Sequence, residues 1–142
     1  MNSKGMAESY LMEGEIRLKT ARTALEEGHF AYAIRQSQES VEMALKGALR
    51  HAGIEPPKWH DVGIILRKES ERFPVWFTKN LDRLALISRE LRREREPSMY
   101  GDSELNLPPQ ELYTEFDAYE AVKKADLVMG LCKKLILENE PQ

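Results

Sequence analysis

A single cysteine, Cys132, stands in 142 residues, which excludes an internal disulfide framework and fits a reducing compartment. Glycine and proline number only 8 and 7 and gather at a few places, so long stretches run without a helix breaker. The three histidines, His29, His51 and His60, lie far apart with no cysteine pair beside them, so zinc-site spacing is missing. A di-iron bundle needs two Glu-x-x-His units. Glu26 and His29 form one, beside Gly28, and no second follows. Walker and Rossmann glycine loops are also missing. No stretch nears the roughly 18 consecutive apolar residues of a membrane span. The first ten residues, MNSKGMAESY, lack the apolar run of a secretory signal. A cytoplasmic protein without metal, cofactor or membrane attachment is the expectation.

What is present reads as helix. The hydrophobic share of 42% supplies a core and the charged share of 32% supplies solvated helix faces. The length fits one domain over residues 1–142. Ala7, Leu11, Gly14, Leu18, Ala21 and Leu25 advance by four and three in turn, which places them on one helical stripe. Gly28 is a natural stop. A second stripe holds Ile34, Val41, Ala44, Leu45, Ala48 and Leu49, ended by Gly53 and Pro56-Pro57. The short connection makes these two helices antiparallel neighbours. A third, shorter element carries Val62, Ile65 and Leu66 up to Pro74, read as a break or first-turn residue. A fourth carries Leu81, Leu84, Ile87, Ser88 and Leu91, and residues 97 to 109 read as a loop. Thr114 and Asp117 form a capping box for the last helix. Its stripe runs through Ala118, Ala121, Val122, Ala125, Val128, Met129, Cys132, Leu135 and Ile136. Cys132 on that stripe is core filling. The result is an all-α up-and-down bundle of about five helices, four of them long.

Net charge −3 and a pI near 5.7 exclude a whole-surface nucleic-acid binder but leave room for a local basic site. Arg89, Arg92, Arg93 and Arg95 crowd the end of the fourth helix, interleaved with Glu90, Glu94 and Glu96. A solvated face with intrahelical pairs accounts for them, as does complementarity to the helix dipole. On the second helix, Gln38 occupies the line from Ile34 to Val41 and Leu45, where an apolar side chain is expected, and Glu42 sits one turn on. Gln38 needs a partner if buried. Either it makes a structural hydrogen bond, or this face lines a cleft shared with the arginines.

The stretch ALEEGHFAYAIR followed by AIRQSQESVEMALKGAL resembles the HEPN domain family. His60-Asp61-Val62 and DAYEAVKKADLVMGLCKKLI are similar to the family as well, and the resemblance runs from about residue 7 to 137. It implies a small helical bundle, usually a homodimer, often encoded beside a minimal nucleotidyltransferase as a toxin–antitoxin pair. Active members are metal-independent endoribonucleases. Their motif is an arginine, four variable residues, a histidine, one residue and a tyrosine. Counting back from Tyr100 sets Arg93 at the arginine and Ser98 at the histidine. Another branch carries an Arg-Tyr-Pro-Asp-like loop, to which MYGD is similar, with Met99 replacing its arginine.

The departure at Ser98 matters chemically. Metal-free RNA cleavage through the 2′-hydroxyl needs a general base and acid within hydrogen-bond reach. Imidazole serves near neutral pH, whereas a serine hydroxyl does not and arginine stays protonated. The arginines still offer fork-like phosphate contacts. The expected function is therefore a dimeric nucleotide- or RNA-binding member with a degenerate motif of Arg93, Ser98 and Tyr100. Arg89, Arg92, Arg93, Gln38 and Glu42 would line its ligand site. Phe73, Trp76 and Phe77 are read as apolar surplus for the dimer surface. The resemblance also makes Tyr100 a candidate acceptor of adenylyl groups from a nucleotidyltransferase partner; packing on the bundle is the plainer role for that ring. Two alternatives stay open: an active endoribonuclease using His51 or His60 from elsewhere in the bundle, and a protein-interaction scaffold.

Overall fold

The computed structural model describes residues 3–58 and 61–138; His60 lies outside them. Four long helices dominate: α1 (Ser3–Glu26), α2 (Phe30–His51), α5 (Leu81–Arg93) and α8 (Glu115–Lys133). Between them lie α3 (Val62–Lys68), a 3₁₀ turn at Ser70–Arg72, and three single turns, α4 (Val75–Thr78), α6 (Pro97–Tyr100) and α7 (Pro109–Leu112). A π-helical turn, Lys134–Glu138, continues α8. The all-α bundle expected from periodicity is the observed architecture.

α2 is the central helix, packed by α1, α8 and α5. Its stripe of Ile34, Val41, Ala44, Leu45, Ala48 and Leu49 is buried. One continuous apolar cluster joins it to Leu11 and Leu18 of α1, Leu84 and Leu91 of α5, and Val128 and Cys132 of α8. Complete burial pushes the Cys132 thiol up to about 12, which keeps it an inert core residue. α1 and α2 approach closely enough that small residues are required. A side chain at Gly14 would come within 3.0 Å of the Ser40 carbonyl, and one at Gly47 within 3.1 Å of the Ala7 carbonyl. Ser40 Oγ donates to the Gly14 carbonyl at 2.8 Å. Arg17 then clamps the pair from outside, reaching Glu13 at 2.7 Å and Glu39 at 3.2 Å.

Two expectations need correction. Phe73, Trp76 and Phe77 are not surplus for a dimer surface. Pro74, with extended ψ 153°, precedes the single turn α4 and folds the aromatics inward. Phe77 is 0% exposed, its ring centroid lies 5.1 Å from that of Phe73, and Trp76 meets it edge-on at 5.6 Å. Lys134 Nζ sits 4.4 Å over the Trp76 ring. The segment from 97 to 109 is not all loop either. Proline has no N–H to lose in a first turn, and Pro97 and Pro109 each open a short helix. Between those turns, Asp102 and Leu107 exchange backbone hydrogen bonds at 2.9 and 3.0 Å. Gly101 makes the reversal at φ 79°, where a Cβ would collide with the Leu107 carbonyl.

Candidate functional site

The arginine-rich end of α5 meets α6, α7 and the start of α8 at one end of the bundle. Arg93 closes α5 and lines a hollow of about 580 Å³. The floor of that hollow is apolar, from Ile34, Leu91, Leu112 and Ala121. Its polar rim holds Glu90, Glu94, Asp117 and Glu120 against Arg93 and Lys124. Lys124 Nζ donates to Glu90 at 3.1 Å, so that cation is already engaged. Tyr113 donates its hydroxyl to Glu94 at 2.9 Å. Burial, and then this bond to an anion, hold the Tyr113 phenol well above its ordinary value. The Thr114 capping box, with Thr114 Oγ1 accepting from the Asp117 N–H at 3.2 Å, fixes where α8 begins and so where Asp117 stands.

Ser98 and Tyr100 face elsewhere. Ser98 is 5% exposed, its N–H donates to the Glu94 carbonyl at 2.9 Å, and its hydroxyl donates to the Arg95 carbonyl at 3.2 Å. It borders a hollow of about 350 Å³ shared with His29, Tyr32, Arg35, Met99 and Gln110. Tyr100 is 72% exposed on a third hollow, rimmed by Glu96, Asp102 and Glu104. The separation follows from helix geometry. Residues two apart on a turn point about 200° apart, and α5 unwinds at Glu94–Glu96 before α6 starts. The three motif positions therefore line three different hollows of the chain.

The structure does bring Gln38, Glu42 and the arginine cluster together, through Arg95. Gln38 is 4% exposed and its Nε2 donates to Glu42 at 3.1 Å. Glu42 also receives Lys46 Nζ at 3.2 Å and faces Arg95 Nη1 at 4.0 Å. Gln38 Oε1 is buried with no donor, and so is Arg50 Nε with no acceptor. An unpaired buried polar group is costly, about 1–3 kcal/mol, so at Gln38 the seam between α2 and the α5 end is incompletely satisfied. Arg89 is exposed and Arg92 half-buried on α5. Lys46 and Arg50 escaped notice in the sequence, and Arg95 was read with the arginine cluster but not as a neighbour of Glu42. Lys46 and Arg50 follow Glu42 at successive steps of four, which is a readable signal. Arg95 is hidden in a run of alternating charges.

The HEPN domain model matches residues 7–135, nearly the whole chain. The chain belongs to the HEPN domain family. Two solved structures share the fold of this HEPN protein. TT1696 from Thermus thermophilus is 23% identical, with a TM-score of 0.71 over 90% of this chain and 96% of that one. ST0689, described as an archaeal HEPN homologue, is 28% identical, with a TM-score of 0.68 over 92% and 97%. No curated protein matches the chain.

In this HEPN protein, no histidine lines the Arg93 hollow among the described residues. His51 ends α2, half-buried, and burial lowers its pKa below the ordinary value. His29 is the N-cap residue of α2, exposed and 3.9 Å from Glu27. Among the described residues no group of three or more His, Cys, Asp or Glu is arranged to hold a metal, and no helix is long and apolar enough to cross a membrane.

Proposed function

We propose that this HEPN protein binds a nucleotide or an RNA without cleaving it, working as a homodimer of toxin–antitoxin type beside a minimal nucleotidyltransferase. The carrying observation is Ser98: at the position of the family's proton carrier stands a buried hydroxyl already spent on a backbone carbonyl. Phosphate recognition is assigned to the seam of Gln38, Glu42, Lys46 and Arg95. Two cations there stand against one carboxylate, and Gln38 holds that carboxylate from the buried side. Arg93 contributes less, because carboxylates outnumber cations in its hollow. The exposure of Tyr100 supports its reading as acceptor of an adenylyl group, its phenolic oxygen displacing pyrophosphate from ATP on the partner enzyme.

Titration with ATP and with a labelled single-stranded RNA tests this reading. Arg95→Ala weakens binding roughly tenfold, the worth of one charge-assisted contact, and Arg93→Ala weakens it less. Unchanged affinity in Arg95→Ala removes the seam assignment. The same RNA stays intact in EDTA. A second reading, the metal-independent endoribonuclease, draws on His29, which shares a hollow with Ser98 and Arg35. Cleavage in EDTA that vanishes in His29→Ala would establish it.

A further inference from the structure

Three side chains meet at Glu42. Gln38, one turn earlier on α2 and 4% exposed, donates Nε2 to Glu42 Oε1 at 3.1 Å. Lys46, one turn later, donates Nζ to Glu42 Oε2 at 3.2 Å. Arg95 comes from beyond the end of α5, and its Nη1 stands 4.0 Å from Glu42 Oε1, too far for a hydrogen bond. Helix periodicity explains the first two contacts, since residues four apart share a face. Nothing in that periodicity requires the third. The carboxylate is thus anchored from the inside by a neutral amide and flanked on the outside by two cations. Exposure grades the trio: the side chains of Lys46 and Glu42 are 20% and 25% exposed, and that of Arg95 is 56% exposed.

We propose that Glu42 stands in for the ligand's phosphate, an autoinhibitory contact that an incoming phosphate must displace from Lys46 and Arg95. This rests on the phosphate-binding seam proposed above and adds what competes with the ligand there. A carboxylate and a phosphate present similar paired oxygens to a cation, so Lys46 and Arg95 engage either in the same way. Two positive charges against one negative leave the seam one net positive charge. Every contact a phosphate makes with Lys46 is a contact taken from Glu42. Arg95 is the more exposed cation and is not hydrogen-bonded to Glu42, so it meets the phosphate first. Lys46 follows by turning its ammonium from Glu42 to the phosphate, while Glu42 keeps its bond to Gln38. A carboxylate that merely positioned the two cations would act in the opposite sense, since its loss would let them drift. The sign of the affinity change on neutralising Glu42 decides between the two.

Glu42→Gln is the test, because the amide keeps an oxygen for Gln38 and removes only the charge. Fluorescence anisotropy with a labelled single-stranded RNA and calorimetry with ATP, both at one fixed salt concentration, read the affinity. Glu42→Gln is expected to tighten whichever of the two the wild type binds by roughly tenfold, the size of one charge-assisted contact. In a Lys46→Gln background the same substitution is expected to gain much less, since the contested cation is gone. Glu115→Gln, an equal change of charge at an exposed position of α8, is expected to leave affinity near that of the wild type. Circular dichroism checks that each variant is folded. If the wild type binds and Glu42→Gln binds equally or more weakly, the contact is not autoinhibitory, while the seam stands. A gain as large from Glu115→Gln, or one that survives in Lys46→Gln, also overturns the proposal, because net charge alone then accounts for it. Binding seen only after Glu42→Gln supports it. If neither the wild type nor Glu42→Gln binds ATP or RNA, the seam itself falls.

Discussion

At position 98 a small hydroxyl is nearly buried and bonded to the backbone. Ser98 lies on α6 beside the start of α2, at 5% exposure, with Ala31 and Arg35 lining the same hollow. Ser98→His therefore does not rebuild a ribonuclease. The new imidazole would lose the hydroxyl's bond to the Arg95 carbonyl. It would push aside the neighbours that leave Ser98 5% exposed, toward the hollow of His29 and Arg35 and away from that of Arg93, at a cost of about 1–3 kcal/mol. Urea denaturation is expected to show that loss, and RNA incubated with the variant in EDTA is expected to stay intact; acquired cleavage would show that positions 93 and 98 do converge on substrate. The family resemblance made Arg93, Ser98 and Tyr100 legible as a unit, and a motif counted along the chain carries no direction. It could not show that α5 unwinds at Glu94–Glu96 and turns each side chain to a different hollow. Gln38 and Glu42 were legible for the opposite reason: a polar residue on an apolar line has to be explained wherever the helix packs.

Elements differ in how plainly they are written. α8 is announced by Thr-x-x-Asp before an apolar stripe, and the reciprocal Thr114–Asp117 bonds are present. Thr114→Ala leaves the Asp117 N–H of α8 without its acceptor and is expected to lower stability by about 1 kcal/mol in denaturant unfolding. Tyr113 and Asp117 belong to the same turn and to the Arg93 hollow, so the cap also holds that hollow's wall. The segment from 97 to 109 was harder to read, since its prolines, Gly101 and Asn106 mark turns and short helices alike. The aromatics of α4 misled for a related reason. Composition counts apolar side chains but does not show that the Pro74 break folds three of them back onto the core.

At the scale of the whole molecule, charge of one sign is partitioned rather than spread. Carboxylates rim the Arg93 and Tyr100 hollows, whereas cations predominate along the α2 seam, so a net charge of −3 coexists with a basic site. pH acts on the fold through His51. Burial disfavours its charged form in the folded chain. Above its ordinary value near 6.5, neither folded nor unfolded chain binds the proton and the contribution to stability is intact. As pH falls below that value the unfolded chain takes up the proton first, and stability declines. The urea midpoint is expected to be lower at pH 5.5 than at pH 7.5, and His51→Gln is expected to shrink that difference; an unchanged difference would show that carboxylates alone set it.

The glycine contacts between α1 and α2 bear on how such a molecule transmits force. Backbone meets backbone at Gly14 and again at Gly47, so neither helix can ratchet along the other by a turn without main-chain collision. Whatever grips the outside of α1 must move the pair as a stiff lever, and the far end can respond only by tilting.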